Sequence, residues 1–214
     1  MSRMIFPACL LVLAACADND PGTYEDAAPP DRTAHIWVDA DDAIPPDTVL
    51  EACEAWRSEG VLCEFAEDPS EADIHFIVDD SPCVGDETGF YPLGRSSPGG
   101  DVLLFTACLH QFGGDPIDRD LLFPVVAHEV GHELGLWFHV PEDCDVLPED
   151  ANSQVLFYFG ICGKALMNPI THRGLLGITD LDHAAFGFRD EDNSVLKVAP
   201  DGLDVPDCVL GVRE

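Results

Sequence analysis

The segment His128-Glu129-Val130-Gly131-His132 sets two imidazoles four residues apart, with a carboxylate beside the first. On a helix, positions four apart stand one turn above each other on the same face, so both rings can reach one ion. Glu129 then projects toward a water on that ion rather than toward the ion itself. The chemistry this suits is hydrolysis. Neutral imidazoles bind Zn²⁺ well, three protein ligands leave a fourth position for water, and the ion lowers that water's pKa to about 7. A carboxylate can take a proton from such a water at neutral pH.

A five-residue pattern is a weak signal alone, so its neighbours matter. Gly135 follows His132 by three residues and can end the helix in a left-handed turn. His139 stands four residues further on, able to fold back as a third ligand, whereas Phe138 cannot bind a metal. Asp143, Asp145 and His172 are the other candidates for that third position. Downstream, Cys162-Gly163-Lys164-Ala165-Leu166-Met167-Asn168-Pro169 holds a methionine in a short apolar turn closed by a proline. His35, His75, His110, His172 and His183 read as surface or hydrogen-bonded groups.

The elements that would carry these residues can be read from periodicity. Ile36, Val38 and Ala40 alternate as in a strand. Pro45-Pro46-Asp47 then opens a helix bearing Val49, Leu50, Cys53 and Trp56 at helical spacing, and Gly60 suits its end. Val61 to Phe65 predicts a second strand; Ile74, Phe76 and Val78 predict a third. The stretch from Gly85 to Gly100, rich in Gly and Pro, is expected to hold an irregular edge strand around Phe90 and Tyr91, and Val102 to Phe105 a buried strand. Asp118 and Asp120 lead into a strongly apolar helix, with Pro124 expected in its first turn. Thr179 and Asp182 form a capping box before Ala184, Ala185 and Phe186. That order gives a mixed α/β sheet with helices.

HEVGHELGLWFH followed by ALMNP resembles the metzincin zinc endopeptidases, whose signature is H-E-x-x-H-x-x-G-x-x-H with a Met-turn beneath the metal. The Met-x-Pro form, Met167 to Pro169, is similar to that of the matrixins. The resemblance covers roughly residues 34–188. It implies an α+β fold with a mixed twisted sheet of about five strands, an active-site helix, a backing helix and a C-terminal helix. It also implies Zn²⁺ held by His128, His132 and His139, Glu129 as general base, Met167 as the Met-turn residue, and a protein or peptide substrate. An extended substrate would pair with the edge strand near Phe90 and Tyr91. Asn168 to Arg173 would wall the pocket after the scissile bond. The family sets its third histidine three residues after the glycine, where this chain has Phe138; His139 stands one residue later, and the extra residue can be absorbed as a bulge beyond the helix. Some relatives bind structural Ca²⁺; Asp190-Glu191-Asp192 is the candidate here, although no ordered ligand spacing accompanies it.

The full chain has 214 residues, with 41 Asp+Glu against 10 Lys+Arg and a formal charge of −31. Nucleic-acid binding is excluded, because phosphates would be repelled. With 46% hydrophobic residues and 12 Phe, 3 Trp and 3 Tyr there is enough to fill one core. Residues 1–15 read as an export signal, with Arg3 at the start, Ile5 to Leu13 as its apolar centre, and Ala14-Ala15 before the cut. Leu13-Ala14-Ala15-Cys16 resembles the bacterial lipobox, which implies lipidation of Cys16 and anchoring to a bilayer; a plain secretory signal cut near Ala17 is the alternative. Ala17 stands where an aspartate would retain the protein at the inner membrane, so the outer membrane is implied.

Residues 16–33 form an acidic tether, 34–188 the metzincin-like domain, and 189–214 an acidic tail; a monomer is expected. In an exported protein, proximity pairs Cys53 with Cys63, Cys83 with Cys108, and Cys144 with Cys162, leaving Cys208 odd. The expected function is zinc-dependent peptide hydrolysis. The alternative is a catalytically inactive, lipid-anchored zinc-binding or surface-binding protein on the same scaffold.

Overall fold

The computed structural model describes residues 32–187, apart from 40–43, 88, 98, 137, 149–150 and 159. The expectations for the signal, Cys16, most of the tether, the acidic tail, Asp190-Glu191-Asp192 and Cys208 lie outside the described residues.

Five strands form one mixed sheet: β1 (Arg32–Val38), β2 (Val61–Phe65), β3 (Ile74–Asp79), β4 (Gly94–Ser97) and β5 (Asp101–Phe105), in the order β2-β1-β3-β5-β4. All neighbours run parallel except β4, which pairs antiparallel with β5 at the edge. The helices are α1 (Pro46–Glu54), α2 (Thr106–Gly113), α3 (Arg119–Glu133), α4 (Ala151–Tyr158) and α5 (Asp180–Gly187). The architecture is therefore α+β, in agreement with the class read from the sequence. No helix among the described residues is long and apolar enough to cross a membrane.

The core lies between the sheet and the pair α1 and α3. Ala34 and Ile36 of β1, Ile74 and Phe76 of β3, and Val102 and Leu104 of β5 are all buried, two residues apart along each strand, so one face of the sheet is dry. From α1, Val49, Ala52 and Cys53 pack on it, and a short 3₁₀ turn (Ala55–Glu59) carries Trp56 inward. Gly60, at φ 77°, reverses the chain into β2. The Trp56 indole donates to the Ala127 carbonyl at 2.9 Å, which ties this backing element to α3, and its ring packs on Phe186 of α5. Disulfides join Cys53 to Cys63, Cys83 to Cys108 and Cys144 to Cys162, the three pairs expected from proximity.

Several details depart from the sequence reading. β1 starts at Arg32, whose N–H donates to the Gly60 carbonyl, ahead of the strand expected from His35 to Ala40. The edge strand is Gly94–Ser97 rather than the stretch around Phe90 and Tyr91. The Phe90 backbone is used in a turn, donating to the Asp86 carboxylate at 3.0 Å and accepting from the Asp86 N–H at 2.8 Å. α2 and α4 were not anticipated. Pro124 lies inside α3, past its first turn. A proline lacks the N–H that would bond the carbonyl four residues earlier. That carbonyl, of Asp120, instead accepts from Gly174 at 2.8 Å, so the proline docks the segment after the methionine turn onto α3.

Candidate metal centre and cleft

α3 begins where the Asp118 carboxylate accepts from the Asp120 N–H, and its run from Leu121 to Ala127 is buried. This fixes His128 and His132 one turn apart, with ring centroids 4.6 Å from each other. The helix ends in a Schellman arrangement: Gly135, at φ 107°, donates to His132 O, and Leu136 donates to Gly131 O. The reversed chain buries Phe138 in the core and turns His139 back, its ring 5.2 Å from each of the other two. One ligand atom from each of the three lies within 4.8 Å of the others.

The structure thus brings together His128, His132 and His139. Among the described residues this is the one group of histidine, cysteine or carboxylate side chains able to hold a metal. Asp143, Asp145 and His172 stand outside it: Asp143 accepts from the Asp145 backbone at 2.8 Å, and His172 sits 3.1 Å from Glu142. The remaining histidines have partners, as expected: His35 with Asp73, His75 with Asp39, His110 with the Gly114 carbonyl, and His183 with Glu59.

The donor set fits a divalent ion. His128 Nδ1 faces the Leu166 carbonyl at 2.7 Å, and His132 Nδ1 faces the Leu136 carbonyl at 2.6 Å. A carbonyl can only accept, so each Nδ1 carries the proton and each Nε2 keeps its lone pair. Burial, reinforced by the neighbouring imidazoles, holds His128 well below the usual imidazole range. Burial and His139 lower His132 to about 4. Both rings are therefore neutral at pH 7, the state that ligates.

Glu129, buried beside His128, is pushed up to about 7 by burial, against hydrogen bonding from Ser96. Ser96 also donates to the Glu129 backbone carbonyl at 3.0 Å, fastening β4 to α3. A Cβ on Gly94 would strike the Glu129 carboxylate, so the edge strand can pass this close only as glycine.

Met167 is fully buried against α3, where Met167 Sδ and the Trp56 ring occupy the space that a Cβ on Gly131 would need. The peptide joining Leu166 to Met167 is held at both ends. Its carbonyl accepts from His128, and its N–H donates to the wholly buried Asp182 carboxylate at 2.9 Å. Asp182 also accepts from Leu166 N at 2.9 Å and closes the expected capping box with Thr179. The sequence showed the cap but gave no sign of the bonds to the turn. Ser153 and Gly94 likewise carry no sequence signal as site residues, and Asn168, expected as a pocket wall, instead bonds the backbone at Val140, Gly163 and Ala165.

A cleft of about 670 Å³ opens over this centre. Its floor is His128, Glu129, His132 and His139 with Val125 and Leu121; Gly94 to Ser96 form one wall, with Phe90, Tyr91 and Phe112 beside it. Pro169, Ile170 and Thr171 also line the cleft, as expected for that segment, but the ends of the segment do not. Asn168 is buried, and Arg173 donates to the Phe112 carbonyl and lies near Asp118. No protein-family model matches the chain, and no curated protein matches it either.

Proposed function

We propose that this chain is a zinc-dependent endopeptidase of the metzincin type. The observation that carries the reading is the convergence of His128, His132 and His139 with a buried carboxylate, Glu129, on the floor of an open cleft. Three neutral imidazoles suit Zn²⁺. When bound, the ion supplies Lewis acidity toward a carbonyl and lowers the pKa of water toward about 7.

The chain's own residues would do the rest. β4 closes the sheet on one side only, pairing with β5, and its other edge borders the cleft, so an extended peptide can add to it through main-chain hydrogen bonds. Glu129, lining the cleft beside His128, can accept a proton from the attacking water and return it to the leaving amine. Pro169, Ile170 and Thr171 would receive the side chain beyond the scissile bond. The lipobox-like Leu13-Ala14-Ala15-Cys16 adds export and a lipid anchor on the outer membrane to this reading.

The test is metal analysis of the full chain together with a peptide-library cleavage assay on the wild type and Glu129→Ala. About one zinc per chain with cleavage that Glu129→Ala abolishes, zinc being retained, is the expected result. Tight zinc with no cleavage of any peptide would favour a binding protein on this scaffold instead.

A further inference from the structure

We propose that Asn168 is the positioning residue for His139, and that through it the third imidazole is locked to the same frame as His128. The inference rests on reading the histidine cluster as a metal centre. His128 and His132 take their places from a helix, but His139 lies in a stretch with neither helix nor strand. Its ring direction depends on the backbone beside it, and three backbone groups that follow its Cα are held. The His139 carbonyl accepts from Ser153 Oγ, the Val140 N–H donates to the Met167 carbonyl at 2.7 Å, and the Val140 carbonyl accepts from Asn168 Nδ2 at 2.8 Å.

The Asn168 side chain is fully buried and every hydrogen-bonding atom is used. Nδ2 donates to Val140 and also to the Gly163 carbonyl at 2.8 Å, while Oδ1 accepts from the Ala165 N–H at 2.6 Å. Two donors and one acceptor on one short branch is what a side-chain amide offers, and no other side chain of that size does. A carboxylate here would face two carbonyls with nothing to donate, and an apolar residue would leave two carbonyls and an N–H buried without partners.

The bonds join segments that matter to the cluster. Gly163 donates to the Pro141 carbonyl, so residues 139–141 are fixed to the turn 163–168 on both sides. That same turn supplies the Leu166 carbonyl that orients His128. Without Asn168, residues 139–141 lose a main link to that turn, and His139 reaches the other two imidazoles from a looser loop. A ligand held less firmly binds an ion more weakly, as loss of the outer partners of metal-bound histidines generally shows.

The experiment uses the full chain and Zn²⁺ alone, in competition with a chromophoric chelator, for wild type, Asn168→Ala, His139→Ala and the double variant. Asn168→Ala should weaken zinc by about 10- to 100-fold. The double variant should bind no more weakly than His139→Ala, because Asn168 acts through the ring already removed. A merely structural asparagine would weaken the two-histidine site of His139→Ala as well, so additive losses would overturn the proposal, as would wild-type affinity in Asn168→Ala. If that variant does not fold, the wild type still decides. Zinc should slow hydrogen exchange at the Asn168 side-chain amide and at the Val140 N–H, and exchange unchanged by zinc would overturn the proposal. A wild type that binds no zinc would instead remove the metal-centre reading itself.

Discussion

A Cβ built on Gly94 would stand 2.7 Å from Glu129 Oε1 and 2.8 Å from its Cγ, so the edge strand and the carboxylate share one space that only glycine leaves open. Gly94→Ala should therefore push Glu129 aside while leaving the three histidines, which sit on other supports, in place. Misplacing a reacting group by about an ångström lowers turnover on the order of 100-fold. Zinc content should be that of the wild type, with kcat reduced. Loss of zinc together with kcat would mean that the substitution disturbs the histidines and not the carboxylate.

Asp182 offers a second test, this time of stability. Its buried carboxylate accepts from the N–H groups of Leu166, Met167 and Thr179 and from the Thr179 hydroxyl. Asp182→Asn has nearly the same shape but turns an NH₂ group toward N–H donors, leaving at least one of them buried and unpaired. The expected loss is about 3 kcal/mol, within the range for breaking a buried charged network. For a domain of this size that corresponds to roughly 6 to 12 °C in thermal midpoint. A midpoint within a degree or two of the wild type would show that the Met-turn does not depend on this carboxylate.

Gly131→Ala probes the packing between helix and turn. The added methyl would meet Met167 Sδ and, at 2.7 Å, the Trp56 ring, and both side chains are fully buried. Overpacking of this kind destabilises by about 1–3 kcal/mol. Met167→Ala in the same chain vacates the space, so the double variant should lose less than the sum of the two single ones. Urea unfolding of all four proteins measures the coupling, and strictly additive losses would contradict the contact.

How much of this was legible before the fold was known follows from how local each signal is. His128, Glu129 and His132 lie within one helical turn, so their shared face is fixed by helix geometry alone. His139 is the nearest ligand after the reversal at Gly135, since Phe138 has no ligand atom, but the sequence leaves Asp143, Asp145 and His172 open and only the fold sets them aside. The Gly- and Pro-rich stretch from Gly85 to Gly100 points to an irregular edge strand without fixing where it pairs; Asp86 takes up the Phe90 backbone, and the strand begins at Gly94. α2 follows β5 directly, Thr106 coming straight after Phe105, and no glycine or proline marks the change from strand to helix. Asn168 and Asp182 were illegible as partners of the site for another reason. A sequence shows that a residue is polar, but the carbonyl or N–H that needs it is set by tertiary contact, here 28 residues away for Val140 and 15 for Met167.

The last prediction concerns Glu129 in the metal-free protein. Its pKa is about 7 in the fold, above the ordinary 4.5, chiefly because burial disfavours the anion. As pH rises from 4.5, the unfolded chain gives up this proton first while the folded chain keeps it, so the group draws the equilibrium toward unfolding until pH 7 is passed. Above that the destabilisation is constant, about 3 kcal/mol from the two pKa values. His128 and His132 act in the opposite sense, since their lowered values favour unfolding as pH falls below the ordinary 6.5, but they are common to the wild type and to Glu129→Gln and cancel in the comparison. In the presence of a chelator, Glu129→Gln should match the wild type near pH 4.5 and exceed it at pH 8 by up to that amount. Such a gain would mark Glu129 as a residue kept at the expense of stability, which is what a proton-transfer group in a dry site entails. Equal denaturation midpoints at pH 8 would remove the basis for assigning it that environment.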